Sequence, residues 1–332
     1  MDAVKHTEIA LTASLRHDDF ENTIRHIAEH KIAAAYNQAG DDYVAYADGD
    51  SSDLYSFHGQ YAYGDSQSWN IIEQKLRALA DHGTTSIRVL DLGCGPGTWL
   101  RRVVNRAIEL GFEEIDARGI DVADGQIERA KASARELSRR PGIRLDFEVG
   151  DICERLHEAD GSVDLCLCLY GVLNHVPAGD LGGVLGEIAR VTSGYFIATV
   201  RAIGSTPTIY VENIEAARQF RQDNRLDRLD VELANGRHIS FNSHLFGGAE
   251  LGGLASEHFV VEDLRGLDLF HGRFAVDPRW NPPNATTTHA LSCELDRLEQ
   301  SYCREPEFID HATHLMLVAK SRTPRYLDAK EK

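Results

Sequence analysis

The sequence predicts an α/β protein with a doubly wound, mostly parallel sheet. Two observations carry that expectation. Between residues 86 and 200, apolar runs of strand length alternate with segments of helical periodicity. Such alternation builds βαβ units around a parallel sheet. The first of those strands also ends in a glycine-rich loop that leads straight into a helix. Open α/β sheets hold ligands at that carboxyl edge. The chain has 332 residues, the length of about two domains, or of one domain with large insertions.

In chain order, residues 1–84 read as a mostly helical extension. Phe20, Ile24, Ile27 and Ile32 recur at roughly helical spacing. The stretch from Ala45 to Trp69 is aromatic and broken by Gly, Asp and Ser, which opposes a regular element. A helix is expected from about Ser68 to Asp81, with Gly83 just past its end. Strands follow at Ile87–Gly93, Ala117–Val122, Arg144–Asp151, Val163–Gly171 and Gly194–Val200. Helices fall between them at Thr98–Leu110, Asp124–Arg139 and Leu181–Thr192.

The pattern breaks over residues 201–250. Two alternating runs between Leu229 and Phe241 flank Asn235-Gly236. Both positions of such a turn favour positive φ, so an inserted antiparallel hairpin is expected. Residues 251–322 return to the sheet with Phe259–Leu267 and His314–Ser321, and with a helix near Leu291–Tyr302. Residues 323–332 form a polar tail.

Composition narrows the function. There are 35 Lys and Arg against 52 Asp and Glu, a net charge of −17. A nucleic-acid binder needs a cationic footprint on the phosphates, so no nucleic-acid partner is expected. No apolar run approaches the ~20 residues that span a bilayer, so no membrane partner is expected either. The start lacks a basic segment followed by an apolar one, and no secretory leader is read there. The six cysteines contain no CxxC pair. They are read as reduced thiols of a cytoplasmic protein, and no metal site is expected.

Chemistry concentrates at Val89-Leu90-Asp91-Leu92-Gly93-Cys94-Gly95-Pro96-Gly97. The glycines let a ligand approach the backbone, and the following helix offers unpaired N–H groups. The spacing is G-x-G-x-G, whereas the dinucleotide fingerprint is G-x-G-x-x-G. Asp91 would repel a pyrophosphate and welcome a cation. Asp121 ends the second strand, where a carboxylate can accept both hydroxyls of a ribose. A structural βα turn is the plainer reading of the glycines, but three acidic residues (Asp91, Asp121 and Asp151) converge on one sheet edge.

The run VLDLGCGPGTW resembles the first motif of the class I S-adenosylmethionine-dependent methyltransferases. The ending VLNHVP (Val172–Pro177) resembles the VLEHVP common among members acting on small molecules, such as the ubiquinone/menaquinone and natural-product group. The resemblance covers about residues 85–200, and 250–320 more weakly. It implies a seven-stranded sheet, S-adenosylmethionine as cofactor, and transfer of its methyl group to O or N of a small molecule. It places Gly93, Cys94, Gly95 and Gly97 beneath the methionine part and Asp91 on its ammonium side. It places Asp121 with Val122 at the ribose, Asp151 at the adenine amino group and Ile152 against the ring. Leu169 and Tyr170 belong to its fourth motif. Asn174 stands where the family usually has Glu.

Several residues keep two readings. His175 is either a general base or a loop-shaping residue bonded to backbone. Tyr170 is either pocket wall, with a catalytic part, or core. Phe57, His58, Tyr61, Tyr63 and Trp69 form either an aromatic mini-core or a lid, and the lid reading makes Tyr63, Trp69, Asn174 and His175 substrate contacts. Cys166 and Cys168 read as small buried fillers. Asp268, His271 and Trp280–Asn284 are either a surface excursion or a pocket wall. A nicotinamide oxidoreductase and a degenerate cofactor-binding protein acting through a partner are the competing functions. Monomer and homodimer both stay open.

Overall fold

The computed structural model describes residues 32–37, 54–57, 61–205, 217–233, 236, 238–275 and 288–323. Helices are α1 (Ala62–Asp81), α2 (Thr98–Glu109), α3 (Asp124–Ala134), α4 (Leu181–Val191), α5 (Gly248–His258), α6 (Thr288–Tyr302) and α7 (Pro306–Ile309). Strands are β1 (Ser86–Leu92), β2 (Glu114–Asp121), β3 (Ile143–Val149), β4 (Val163–Cys168), β5 (Thr192–Arg201), β6 (Ala217–Asp223), β7 (Arg228–Leu233), β8 (His238–Asn242), β9 (Phe259–Leu267) and β10 (His314–Ser321).

Seven strands form the main sheet in the order β3-β2-β1-β4-β5-β10-β9. The first five run parallel, and β10 lies antiparallel between β5 and β9. Strand order reverses between β1 and β4, so their carboxyl ends open a crevice there. Both faces of the sheet are covered, which is why its strands read as apolar runs. One face packs Leu90, Cys166, Cys168 and Phe196 against Ile188 of α4 and Leu251 of α5. The other packs Val89, Leu165 and Ile197 against Ile72 of α1 and Leu100 and Val103 of α2.

Three expectations need correction. Helix α1 begins at Ala62, six residues before the expected Ser68, so Tyr63 and Trp69 sit on a helix and not in an irregular lid. Gly64 and Asp65 look like loop residues in sequence. Here the Gly64 amide donates to Asp268 Oδ1 at 3.2 Å, and a tertiary bond outweighs local propensity. The helix expected to reach Arg139 ends at Ala134, and a separate 3₁₀ turn covers Leu137–Arg139. The strand expected to run to Asp151 stops at Val149, which frees Gly150 and Asp151 for the crevice.

The hairpin of β7 and β8 is present, with Leu229 opposite Phe241 and Gly236 at φ 84°. It gains a third strand, β6, whose sequence ARQFRQD carries no apolar alternation to announce it. The apolar face of this small sheet, Leu229, Val231 and Phe241, packs on Ile32 and Ala35 of the helical segment 32–37. Phe20, Ile24, Ile27, His58, Asn235, Trp280–Asn284 and the tail from residue 324 lie outside the described residues.

Candidate active site

Strand β1 delivers Asp91 and the glycine loop to the crevice. Gly93 has φ 71°, and a Cβ there would lie 2.1 Å from Val172 Cγ2. Only glycine fits that approach of the loop to the turn after β4. Gly93 and Cys94 both donate their amides to the Ile120 carbonyl, at 2.7 and 3.0 Å. Gly97 (φ 77°) turns the chain into α2.

Asp121, at the end of β2, organises what lies around it. Its Oδ2 accepts the Gly95 amide at 2.9 Å, and its Oδ1 accepts the Ala123 amide at 2.8 Å. The carboxylate therefore ties the loop to the start of α3. Burial raises its pKa, and the two amides pull against that rise. Asp151 accepts the Cys153 amide at 2.9 Å on Oδ1, while its Oδ2 is buried without a hydrogen bond. Asp91 is 2% exposed, and its Oδ2 is likewise buried without a partner. Burial, then the charge of Asp121, push the Asp91 carboxyl up to about 8.

These residues bound two spaces that share part of their lining. A cleft of about 890 Å³ is lined by Gly93, Asp121, Val122, Asp151, Ile152 and His175, together with Gly95, Leu169 and Tyr170. A second chamber of about 520 Å³ is lined by Asp65, Asp91, Cys94, Trp99 and Arg102. Gly93, Leu169 and Tyr170 border both, so they form the waist between them. Tyr170 is a non-glycine residue at φ 59°, its amide bonded to Thr199 Oγ1 at 2.7 Å. Its hydroxyl donates to Asp65 Oδ1. A non-glycine residue held at positive φ in a cleft is a mark of function.

His175 lies in a one-turn 3₁₀ helix after β4. Its Nδ1 stands 2.9 Å from the Asn242 carbonyl, and its Nε2 stands 3.1 Å from the Tyr36 hydroxyl. A carbonyl only accepts, so the ring proton sits on Nδ1 and Nε2 carries the lone pair. Burial, then the Asn242 contact acting against it and the Arg201 charge acting with it, leave the pKa lowered.

Three expected substrate contacts lie elsewhere. Trp69 is 5% exposed and stacks on Tyr55 in the core at a ring separation of 4.8 Å. Tyr63 stacks on His271 at 4.3 Å, away from both spaces. The Asn174 side chain donates to the Arg201 and His244 carbonyls and accepts the Arg201 amide at 2.9 Å. Its amide is spent on bracing the turn after β4. Cys94 lines the second chamber, but burial raises its thiol pKa, so it stays protonated.

Sequence reasoning missed Tyr36, Gln126, Asp65, Trp99 and Arg102. Trp99 and Arg102 were accessible, since they occupy the first turns of the helix after the glycine loop. Gln126 lies in the first turn of α3, whereas Tyr36 and Asp65 come from far segments that carry no local signal. Gln126 donates to the Tyr36 carbonyl at 2.9 Å, and Asn37 bonds Asp124 and the Gly125 amide. The helical segment 32–37 is thereby fastened over the start of α3.

Comparison with known proteins bears on this geometry. Residues 89–194 match the family model described as "Methyltransferase domain". Over those residues the chain is similar to methyltransferase domains. A probable methyltransferase, ltbC, of Aspergillus luteorubrus is 35% identical over 120 residues. That match covers 33% of this chain and 38% of the fungal protein. The biotin biosynthesis bifunctional protein BioHC of Teredinibacter turnerae is 30% identical over 90 residues, covering 27% of this chain and 15% of its own. The matches thus span well under half of either curated relative. A crystal structure of an S-adenosylmethionine-dependent methyltransferase from Clostridium acetobutylicum aligns with a TM-score of 0.51 at 11% identity. It covers 85% of this chain and 98% of that one, and shares the fold.

The residues present fit the family's cofactor. The two orphan carboxylate oxygens, of Asp91 and Asp151, stand on opposite sides of the waist, where donor groups of a ligand would satisfy them. Among the described residues no group of His, Cys, Asp or Glu could hold a metal ion, and no helix is long and apolar enough to cross a membrane.

Proposed function

We propose that this protein transfers the methyl group of S-adenosylmethionine to an oxygen or nitrogen of a small molecule. The observation that carries this reading is the waist. A cleft with Asp121 and Asp151 suits a nucleoside. A second chamber with Asp65, Asp91 and Arg102 suits an amino acid. Gly93, Leu169 and Tyr170 lie where the two would join.

When bound, S-adenosylmethionine supplies a methyl group made electrophilic by its sulfonium. The protein's own tasks are then orientation, exclusion of water and removal of the acceptor's proton. Asp121 accepts ribose hydroxyls, Val122 and Ile152 flank the base, and Asp151 Oδ2 accepts the adenine amino group. Gly93, Cys94, Gly95 and Gly97 pass beneath the methionine part. His175 is the proton acceptor of this proposal. Its tautomer is set by Asn242, and its lowered pKa keeps Nε2 unprotonated near neutrality. The Tyr36 hydroxyl marks the position from which a proton reaches it.

The acidic net charge of −17 supports a small-molecule acceptor over a nucleic acid. The described cysteines form no disulfide, which suits a cytoplasmic protein.

Calorimetric titration tests the reading. Wild-type protein and Asp121→Ala are titrated with S-adenosylmethionine, S-adenosylhomocysteine and NADH. Micromolar binding of the first two, weakened by the substitution, is the expected result. Binding of NADH alone would replace the reading with a nicotinamide enzyme. A panel of hydroxyl and amine acceptors then separates O- from N-transfer by product mass.

A further inference from the structure

The Tyr36 side chain stands where an acceptor would. Its phenol hydroxyl lies 3.1 Å from His175 Nε2, on the lone pair assigned to proton removal. Its ring meets the imidazole edge-on, with centroids 5.9 Å apart and planes at 80°. Phe241 flanks the same imidazole at 5.5 Å and 65°. The cleft lining contributed by the same two segments is apolar: Ile32, Val172, Val176 and Pro177. A ring bearing one hydroxyl is matched to such a wall, because burying further polar groups there would leave them unpaired.

Backbone contacts, not the phenol, dock the segment that carries Tyr36. The Tyr36 carbonyl accepts from Gln126 at 2.9 Å, and the Asn37 side chain bonds Asp124 and the Gly125 amide. Turning the Tyr36 side chain about its own torsions, a faster event than moving a segment, would take the phenol off Nε2.

Charge sharpens the choice of acceptor. Among the described residues, the side-chain charge that acts on His175 is the positive one of Arg201. It favours an anion forming at Nε2 and disfavours an ammonium. The acidic members of the described cleft lining, Asp121 and Asp151, are assigned above to the nucleoside. Acidity points the same way. A phenol titrates at about 10, whereas an aliphatic hydroxyl resembles water at about 15.7. Proton transfer to a neutral imidazole is therefore favoured for the phenol by between five and six powers of ten, roughly.

We propose that the acceptor is a phenol, seated with its hydroxyl on His175 Nε2 in the place that the Tyr36 hydroxyl holds, and that it enters by displacing the Tyr36 side chain. The proposal rests on the methyl-transfer reading above and narrows it to an aryl oxygen. The phenol proton passes to Nε2, and the oxygen's electron pair forms the bond to the methyl carbon. The methyl–sulfur bond breaks with its pair kept on sulfur. An aryl methyl ether and a thioether leave, and the imidazolium returns its proton to water.

Tyr36→Ala opens the seat for p-cresol, which is the phenol of the side chain removed. With S-adenosylhomocysteine at saturation, calorimetry should show p-cresol binding the variant about tenfold or more tighter than wild type, where Tyr36 competes. Toluene, which lacks the hydroxyl, and benzylamine, which carries an ammonium, should bind the variant about tenfold or more weaker than p-cresol. S-adenosylhomocysteine affinity within about twofold of wild type shows that the variant is folded. 4-Nitrophenol, whose phenolate is coloured, gives a second reading that needs no change at position 36. Bound to wild type beside His175 and Arg201, it should ionise at a pH lower by about one unit or more than in solution, and His175→Ala should reduce that shift. Mass spectrometry should find the methyl ether of p-cresol when the Ala variant is given S-adenosylmethionine. The proposal is overturned if toluene or benzylamine binds the variant as tightly as p-cresol, or if 4-nitrophenol fails to bind wild type or ionises as it does in solution. Failure of the wild type to bind S-adenosylhomocysteine would sink the cofactor reading itself. S-adenosylhomocysteine bound without selectivity for the phenol would sink only this assignment.

Discussion

The Tyr36 hydroxyl and His175 Nε2 lie 3.1 Å apart, joining residues 139 positions distant in the chain. The contact lies in the lining of the cleft, and the helical segment bearing Tyr36 packs on β7 and β8 of the three-stranded sheet. With Nδ1 tied to the Asn242 carbonyl, the ring has one orientation and one available lone pair. A hydroxyl–imidazole–carbonyl chain of this kind is a base with its orienting group in place.

His175→Ala is therefore expected to lower kcat by roughly 10²–10⁴-fold, the range of general-base effects. Affinity for S-adenosylhomocysteine should change little, because His175 is not among the residues assigned to hold the nucleoside. Tyr36→Phe removes the hydroxyl and keeps the ring. If Tyr36 only shapes the cleft, the Phe variant will match wild type at all pH values. If it relays the proton, its pH profile will differ.

Asp121→Ala removes two backbone partners at once, the Gly95 and Ala123 amides. A ligand contact and a loop anchor are lost together. We expect cofactor affinity to fall by about 10- to 100-fold, as for loss of one or two charge-assisted hydrogen bonds. Asp121→Asn keeps one acceptor and should fall less. Equal losses in both variants, measured by calorimetry, would show that charge and not loop anchoring dominates.

Gly93→Ala tests the close approach of loop and turn. The added Cβ meets Val172 Cγ2 at 2.1 Å, and φ of 71° is unfavourable for any side chain. Strain in the left-handed region costs about 1–2 kcal/mol, and overpacking about 1–3 kcal/mol more. A second substitution, Val172→Ala, should recover the steric share and leave the backbone share. Chemical denaturation of the single and double variants reads both. No recovery in the double variant would place the whole cost in the backbone.

Cofactor binding should release protons. The Asp65 carboxyl is pushed up to about 6, by burial first and against Tyr170 and Arg102, and the Asp91 carboxyl up to about 8. An arriving ammonium favours the ionised form of both, so their pKa values fall on binding. Affinity for S-adenosylhomocysteine should then rise from pH 5 to pH 8. Titrations in buffers of different ionisation enthalpy count the protons. Binding that takes up protons, or is flat with pH, would place the ammonium away from both carboxylates.

The main sheet was legible because its strands are buried on both faces and its helices stop at glycines such as Gly83 and Gly111. The three acidic residues of the candidate site were legible for the same reason: Asp91, Asp121 and Asp151 all stand at or just past strand ends, where the fold itself aims side chains at ligands. Asp65 and Tyr36 were not legible, since each acts through one tertiary hydrogen bond, to Tyr170 and His175, that no local pattern encodes. Trp69 and Asn174 misled in the opposite direction. Aromatic and amide residues near a site look functional in sequence, but a stacked ring in a core and a fully bonded amide in a turn have the same letters.

The same distinction bears on Asp268, which sits just past β9 at φ 59° and is 1% exposed. Its Oδ1 accepts the Gly64 amide, and its Oδ2 is buried without a hydrogen bond. The approach is close enough that a Cβ on Gly64 would meet Asp268 Oδ2 at 2.4 Å. Burial first, then the charges of Glu299 and Asp65, hold the carboxyl well above its ordinary range. The folded state therefore binds this proton more tightly than the unfolded chain, where the pKa is about 3.9. Its contribution to stability is greatest below that value and is lost as pH rises through the folded value. Asparagine tolerates the left-handed backbone, can still accept from Gly64, and does not ionise. Asp268→Asn should thus flatten the fall of Tm between pH 4 and pH 8, gaining stability at the alkaline end with little change in acid. The slope removed is at most ~1.4 kcal/mol per pH unit, the value for one titrating proton. Thermal unfolding across that range decides the point. A variant whose Tm falls in parallel with wild type would show that Asp268 is ionised in both states across that range.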